Sequence, residues 1–167
     1  MSRVILLWSG GKDAMLALCH ARDAGHQVVA LATFAPLKPR FLAHPLPLVR
    51  RQAAALGLPH LLVTIEAPFE QGYETALSRL RQEWALDGVV TGDIDSVGGA
   101  PNWIRERSQP LGLAVHTPLW QQSRQTLLAD MLARGIVAHL SCVDTRVLAP
   151  EWVGRILDAA TLSELQQ

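Results

Sequence analysis

A chain of 167 residues, 49% hydrophobic and 18% charged, fits one domain, 1–167, large enough to bury a core without disulfide or metal staples. Fifteen basic and fifteen acidic residues leave a formal net charge of zero and a pI of about 7.0, which gives no support to a surface built to track nucleic-acid phosphates. No apolar run approaches the ~20 residues of a membrane span, Met1-Ser2-Arg3 lead straight into a strand pattern with no room for a signal peptide, and Cys19 and Cys142 stand far from any ligand or disulfide spacing, so a cytoplasmic protein is expected.

The apolar run Val4-Ile5-Leu6-Leu7-Trp8 predicts a strand, Ser9-Gly10-Gly11-Lys12-Asp13 a tight turn, and residues 14–24 a helix closed by Gly25. Residues 28–34 form a second apolar run, buried on both faces as in a parallel sheet, so the first third reads as a right-handed βαβ unit. Four prolines make 35–47 a loop at the carboxyl end of that strand, the end where open α/β sheets bind ligands. A helix over about 46–56, a strand over 60–65 and a helix over about 70–86 follow, the last with Glu74, Ser78, Arg81 and Gln82 toward water. Residues 88–93 read as a strand whose carboxyl end lies beside that of the first, 94–103 as a loop, 102–109 as a short helix and 113–116 as a strand. Ser123 can cap an amphipathic helix that ends near Gly135; residues 136–143 read as the last strand and 150–166 as one or two helices. The expected class is α/β, a Rossmann-like three-layer sandwich with a mostly parallel sheet of about five strands.

Strand, Gly-Gly turn and helix together make a phosphate cradle. Glycines let amide N–H groups approach an anion, the helix start offers unpaired N–H groups and the positive end of its dipole, Ser9 adds a hydroxyl and Lys12 a cation. The spacing is neither that of a Walker A loop nor that of the dinucleotide fingerprint. Ser9-Gly10-Gly11-Lys12-Asp13-Ala14 instead resembles the S-G-G-x-D-[ST] signature of the PP-loop ATP pyrophosphatases, which split ATP between its α and β phosphates; Ala14 stands where that superfamily carries a hydroxyl.

Four further stretches narrow the resemblance: His44-Pro45 with Gln52-Ala53 and Leu56-Gly57-Leu58-Pro59; Thr91-Gly92-Asp93-Ile94 with Ser96; Leu111-Gly112-Leu113 with Pro118-Leu119-Trp120; and, more weakly, Cys142-Val143-Asp144 with Gly154-Arg155. Their order and spacing are similar to those of the diphthine-ammonia ligase branch, also called adenine nucleotide alpha hydrolase-like proteins. In that comparison the chain is a short member, ending before the family's Gly- and Glu-rich segment near the acceptor. The resemblance implies that ATP and Mg²⁺ are used to adenylate a carboxylate, that ammonia then displaces AMP, and that pyrophosphate is released. It places Ser9, Gly10, Gly11, Lys12, Asp13, Ala14, His44, Gly92 and Asp93 at the nucleotide, gives catalytic roles to Lys12, Asp13, Asp93 and Glu106, and makes Asp13 the metal ligand.

Each assignment has a plainer alternative. Asp13 serves equally as a helix-start carboxylate, worth ~0.3–1 kcal/mol against the dipole, and His44 as a solvated loop histidine. Ser96 and Glu106 are evenly balanced. Trp103 and Trp120 read as packing residues, Cys142 as core, His60 and His139 as residues in or near the core, and Arg50-Arg51 as a solvated helix face. Two rival functions stand beside the ligase: a nucleotide-binding module with little turnover, and a tRNA-modifying PP-loop enzyme, against which the neutral pI and isolated cysteines argue. The partners expected are ATP and a carboxylate acceptor, with a homodimer allowed and neither membrane nor nucleic acid.

Overall fold

The computed structural model describes residues 1–41, 43–96 and 98–165. Leu42, Val97, Gln166 and Gln167, with the parts of the two predicted loops and of the predicted terminal helix that contain them, lie outside the described residues. Five strands, β1 (Arg3–Leu7), β2 (Gln27–Ala35), β3 (His60–Thr64), β4 (Gly88–Val90) and β5 (Ala114–His116), form one sheet in the order β3-β2-β1-β4-β5. Every pairing in it is parallel. Six α-helices are described: α1 (Lys12–Asp23), α2 (Leu46–Ala55), α3 (Phe69–Trp84), α4 (Trp103–Ser108), α5 (Arg124–Ala133) and α6 (Ala159–Glu164).

Alternation along β1 divides the core into two layers. Val4, Leu6 and Trp8 face α1, Val49 and Ala53 of α2, and Leu127 of α5, whereas Ile5 faces Tyr73, Leu77 and Leu80 of α3. Val4, Ile5 and Leu6 are all fully buried, which is why this strand reads as a continuous apolar run rather than an alternating one. The chain fills one side of β1 with β2 and β3, then crosses by α3 to fill the other with β4 and β5. The switch in direction falls between β1 and β4, whose carboxyl ends stand side by side as predicted.

Most predicted elements form within a few residues of their expected limits, and Ser123 caps α5 by accepting from the Thr126 N–H at 3.0 Å. The exception is the run 136–143. Instead of a sixth sheet strand, it makes a single antiparallel bridge, His139 to Ile156, with backbone hydrogen bonds from Leu140 to Arg155 and from Leu157 to Ala138. Its burial explains the correction: Ile136, Ala138 and Leu140 are half-buried while Val137, His139 and Ser141 are exposed, so only one face has anything to pack against. His139 and Cys142, read from sequence as core, are therefore at the surface. The strand predicted over 88–93 is shorter as well, ending at Val90; the Thr91 N–H still donates to His116 O of β5 at 3.0 Å, and Gly92-Asp93 continue beyond the ladder into the site. Among the described residues no helix is long and apolar enough to cross a membrane.

A charged network ties α1 to α5. Asp130 accepts from His20 Nε2 at 2.7 Å and from Arg134 Nε at 2.8 Å, and Arg134 also reaches Asp23 at 2.8 Å. Partial burial pushes the Asp130 carboxyl up, but the hydrogen bonds from Arg134 and His20 outweigh it and hold the group below its ordinary value. A carboxyl depressed in the folded state adds stability above its unfolded value and loses it as pH falls through the folded one. Asp130→Asn is therefore expected to lower stability at pH 7 by about 0.5–1 kcal/mol. In thermal unfolding against pH, the gap from the wild type should close below about pH 4.

Candidate nucleotide site

β1 ends at Leu7, and Trp8 to Gly11 carry the chain over the sheet edge into α1. The strand end is braced from both neighbours on the β2 side. The Trp8 N–H donates to Ala32 O at 2.8 Å, and buried Thr33 gives its hydroxyl proton to Trp8 O at 2.6 Å. Since that proton is spent, the 2.9 Å contact of His60 Nε2 with Thr33 Oγ1 has the imidazole as donor. Burial, and after it Arg50, hold His60 below its usual value, in keeping with a neutral ring.

Beyond this brace the backbone turns at Gly10, whose φ of +78° lies in the left-handed region. A Cβ there would also meet Gln52 Oε1 at 2.6 Å and Val49 Cγ2 at 3.1 Å, so α2 sits directly against the turn. Gly11 is the N-cap of α1 and supplies no side-chain cap, leaving the first-turn amides of the helix open. The Gly11 N–H itself makes a long contact, 3.3 Å, with Ser9 Oγ. His44, from the loop before α2, lies over this turn, its Cε1 3.2 Å from where a Gly11 Cβ would be. Lys12 Nζ is 2.8 Å from both carboxylate oxygens of Asp13. Cation and carboxylate thus neutralise each other at the mouth of the cradle.

The opposite wall comes from β4. Gly92 lies so close to α1 that a Cβ would fall 2.8 Å from Asp13 C and 2.9 Å from Ala14 N. Next to it, Asp93 accepts from Asn102 Nδ2 at 2.9 Å, and Asn102 Oδ1 caps α4 by accepting from the Arg105 N–H at 2.9 Å. Between these walls opens a cavity of about 640 Å³, within the ~300–1,000 Å³ usual for small-molecule sites. Ser9, Asp13, Ala14, His44, Gly92 and Asp93 line it. Lys12 instead lines a smaller neighbouring pocket of about 80 Å³ with Arg124 of α5. Gly10 and Gly11 act through backbone and are outside the lining. Ser96 and Glu106 are exposed and also outside it.

Several lining residues are not placed at the site by the sequence, among them Trp103, which reads there as a packing residue. Phe34, Tyr73 and Trp103 form an aromatic wall, with ring centroids 4.6 Å and 4.8 Å apart. Burial pushes the Tyr73 hydroxyl up to about 12; the Ser108 hydroxyl opposes that shift and Asp93 adds to it. Tyr73 and Trp8 both line the cavity, while Tyr73 Oη and Trp8 Nε1 themselves are buried. Tyr73 had a legible signal, a polar group on the apolar stripe of an amphipathic helix. Arg40 and Phe41 reach the cavity from an irregular loop that carried none.

A doubly wound, all-parallel sheet with an uncapped helix start at its switch point defines a Rossmann-like α/β protein. Comparison with known proteins agrees. Residues 2–113 match the family model described as the diphthamide synthase N-terminal domain, and the chain belongs to that family. A protein from Danio rerio named diphthine–ammonia ligase is 28% identical over 176 residues, spanning 89% of this chain and 67% of its own. Among solved structures, a predicted subunit of tRNA methyltransferase from Methanocaldococcus jannaschii shares the fold, with a TM-score of 0.57 and 20% identity over 83% of this chain and 79% of that one.

Because the Gly92 contact is with backbone on both sides, neither side can yield. Gly92→Ala is expected to cost about 1–3 kcal/mol, seen as a lowered thermal unfolding midpoint.

Proposed function

We propose that this protein is an ATP-dependent amide ligase that activates a carboxylate as its adenylate and passes it to ammonia. The observation that carries the reading is the open first turn of α1, held at the rim of the large cavity at the sheet's switch point. A carboxylate oxygen attacks the α phosphorus and the bond to the pyrophosphate breaks. Ammonia nitrogen then attacks the acyl carbon, AMP leaves, and the amide is freed of its extra proton.

The cradle's task is the pyrophosphate leaving group. Negative charge grows on it as the bond breaks, and fixed amide dipoles with Lys12 stabilise that state more than the ground state. Phosphate oxygens would draw Lys12 from Asp13 and leave the Asp13 carboxylate as a hard oxygen donor. That suits Mg²⁺, which is commonly held by one or two carboxylates together with substrate phosphates; when bound, the ion neutralises phosphate charge. Among the described residues no cluster of three or more His, Cys, Asp or Glu offers a self-contained metal cage, in keeping with an ion that arrives with the nucleotide. His44, over Gly11, is placed to hold a phosphate oxygen, and Asp93 to orient the groups that meet on the β4 side.

The name of the Danio rerio relative makes diphthine the first acceptor to test. With Mg²⁺, ammonium and ATP labelled at the α phosphate, the expected products are AMP and pyrophosphate, formed only when the acceptor is present. Lys12→Ala should slow AMP formation by about 100-fold or more. Labelled ADP as product would sink the reading.

A further inference from the structure

We propose that Gln52 is a positioning residue that holds the Gly10–Gly11 peptide in its anion-facing orientation. The inference rests on the reading of residues 9–13 as a phosphate cradle and assigns that cradle a part on a different element. Gln52 lies on α2, three residues after Val49 and one before Ala53, both buried against the α1 layer. Its Nε2 donates to Gly10 O at 3.0 Å, across 42 residues of sequence.

The consequence follows from peptide geometry. In a planar trans peptide the C=O and the N–H of the same unit point in opposite directions. With the Gly10 carbonyl held toward α2, the Gly11 N–H must face away from α2, and it is found directed at Ser9 Oγ, on the cavity side. The reversed peptide would aim a carbonyl oxygen at the phosphates and turn a donor into a repulsive dipole. Glycine at both positions makes such reversal sterically easy, so the sequence that allows the cradle also leaves it free to turn over. The side-chain amide of Gln52 removes that freedom before any ligand arrives.

A purely structural role for Gln52 predicts something else. Its Oε1 is buried without a partner, so the side chain carries an unmet desolvation cost and is a poor device for stability alone. Methionine matches glutamine in length and shape and lacks both the donor and the orphaned acceptor. The two roles therefore separate: loss of the donor weakens anion binding, while loss of the orphan leaves stability unchanged or raised.

The test uses the full chain. Binding of Mg²⁺·ATP and of inorganic pyrophosphate is measured by titration calorimetry, beside thermal unfolding. Gln52→Met is expected to bind both ligands about tenfold more weakly, with an unfolding midpoint no lower than that of the wild type. Gln52→Glu supplies a second arm. Ionised, it sets a carboxylate against the Gly10 carbonyl and should bind more weakly than Gln52→Met. Protonated at low pH, it regains an O–H donor, and its deficit relative to the wild type should shrink as pH falls toward 5, since burial raises a carboxyl's pKa. Gln52→Met binding within twofold of the wild type, or a Gln52→Glu deficit that does not change with pH, overturns the proposal and leaves the ligase reading intact. Failure of the wild type to bind either ligand overturns both.

Discussion

β1 is hydrogen-bonded on both flanks by parallel strands, and the rest of the site depends on that pairing. A strand so placed can leave the sheet only over its carboxyl edge, and the connections on either side then diverge, α1 onto one face and α4 onto the other. The gap between them is not filled by the next crossover, so it stays open. Into it project the uncapped start of α1 from β1 and the Thr91-Gly92-Asp93 segment from β4. Packing, which elsewhere closes the molecule, here produces a cavity with polar backbone at its rim.

Electrostatically the rim is already satisfied without a ligand. Lys12 and Asp13 face each other at 2.8 Å, each side chain about one-third exposed. Such an exposed pair adds little stability. Under the proposed function it would serve exchange: a dianionic phosphate offers the ammonium a stronger partner than one carboxylate, and the carboxylate so released has the chemistry a divalent cation seeks. Charge would then be balanced before and after binding, with neither group stripped from water unpaired.

How much of this was legible beforehand follows from what each signal encodes. The strand–turn–helix of residues 4–24 carried its own context, since apolar run, glycines and helical spacing all pointed one way. Adjacency of β1 and β4 was legible because a parallel α/β chain must reverse direction somewhere, and Gly92-Asp93 marked the place. Residues 136–143 misled because an apolar, β-branched run states a preference for extended backbone but not the identity of its partner. Glu106 was proposed from a motif register alone, and it stands exposed on α4. Gln52 and Thr33 act across 25 or more residues of sequence, through contacts that local patterns do not contain.

The Asp93 carboxylate has a second attachment that links the cavity to the molecule's outer layer. Its Oδ2 holds Asn102, and the same Asn102 amide closes the first turn of α4, at whose start Trp103 joins the aromatic wall. Asn102 thereby ties the acidic corner to the start of α4, the helix that carries the Trp103 indole into the cavity wall.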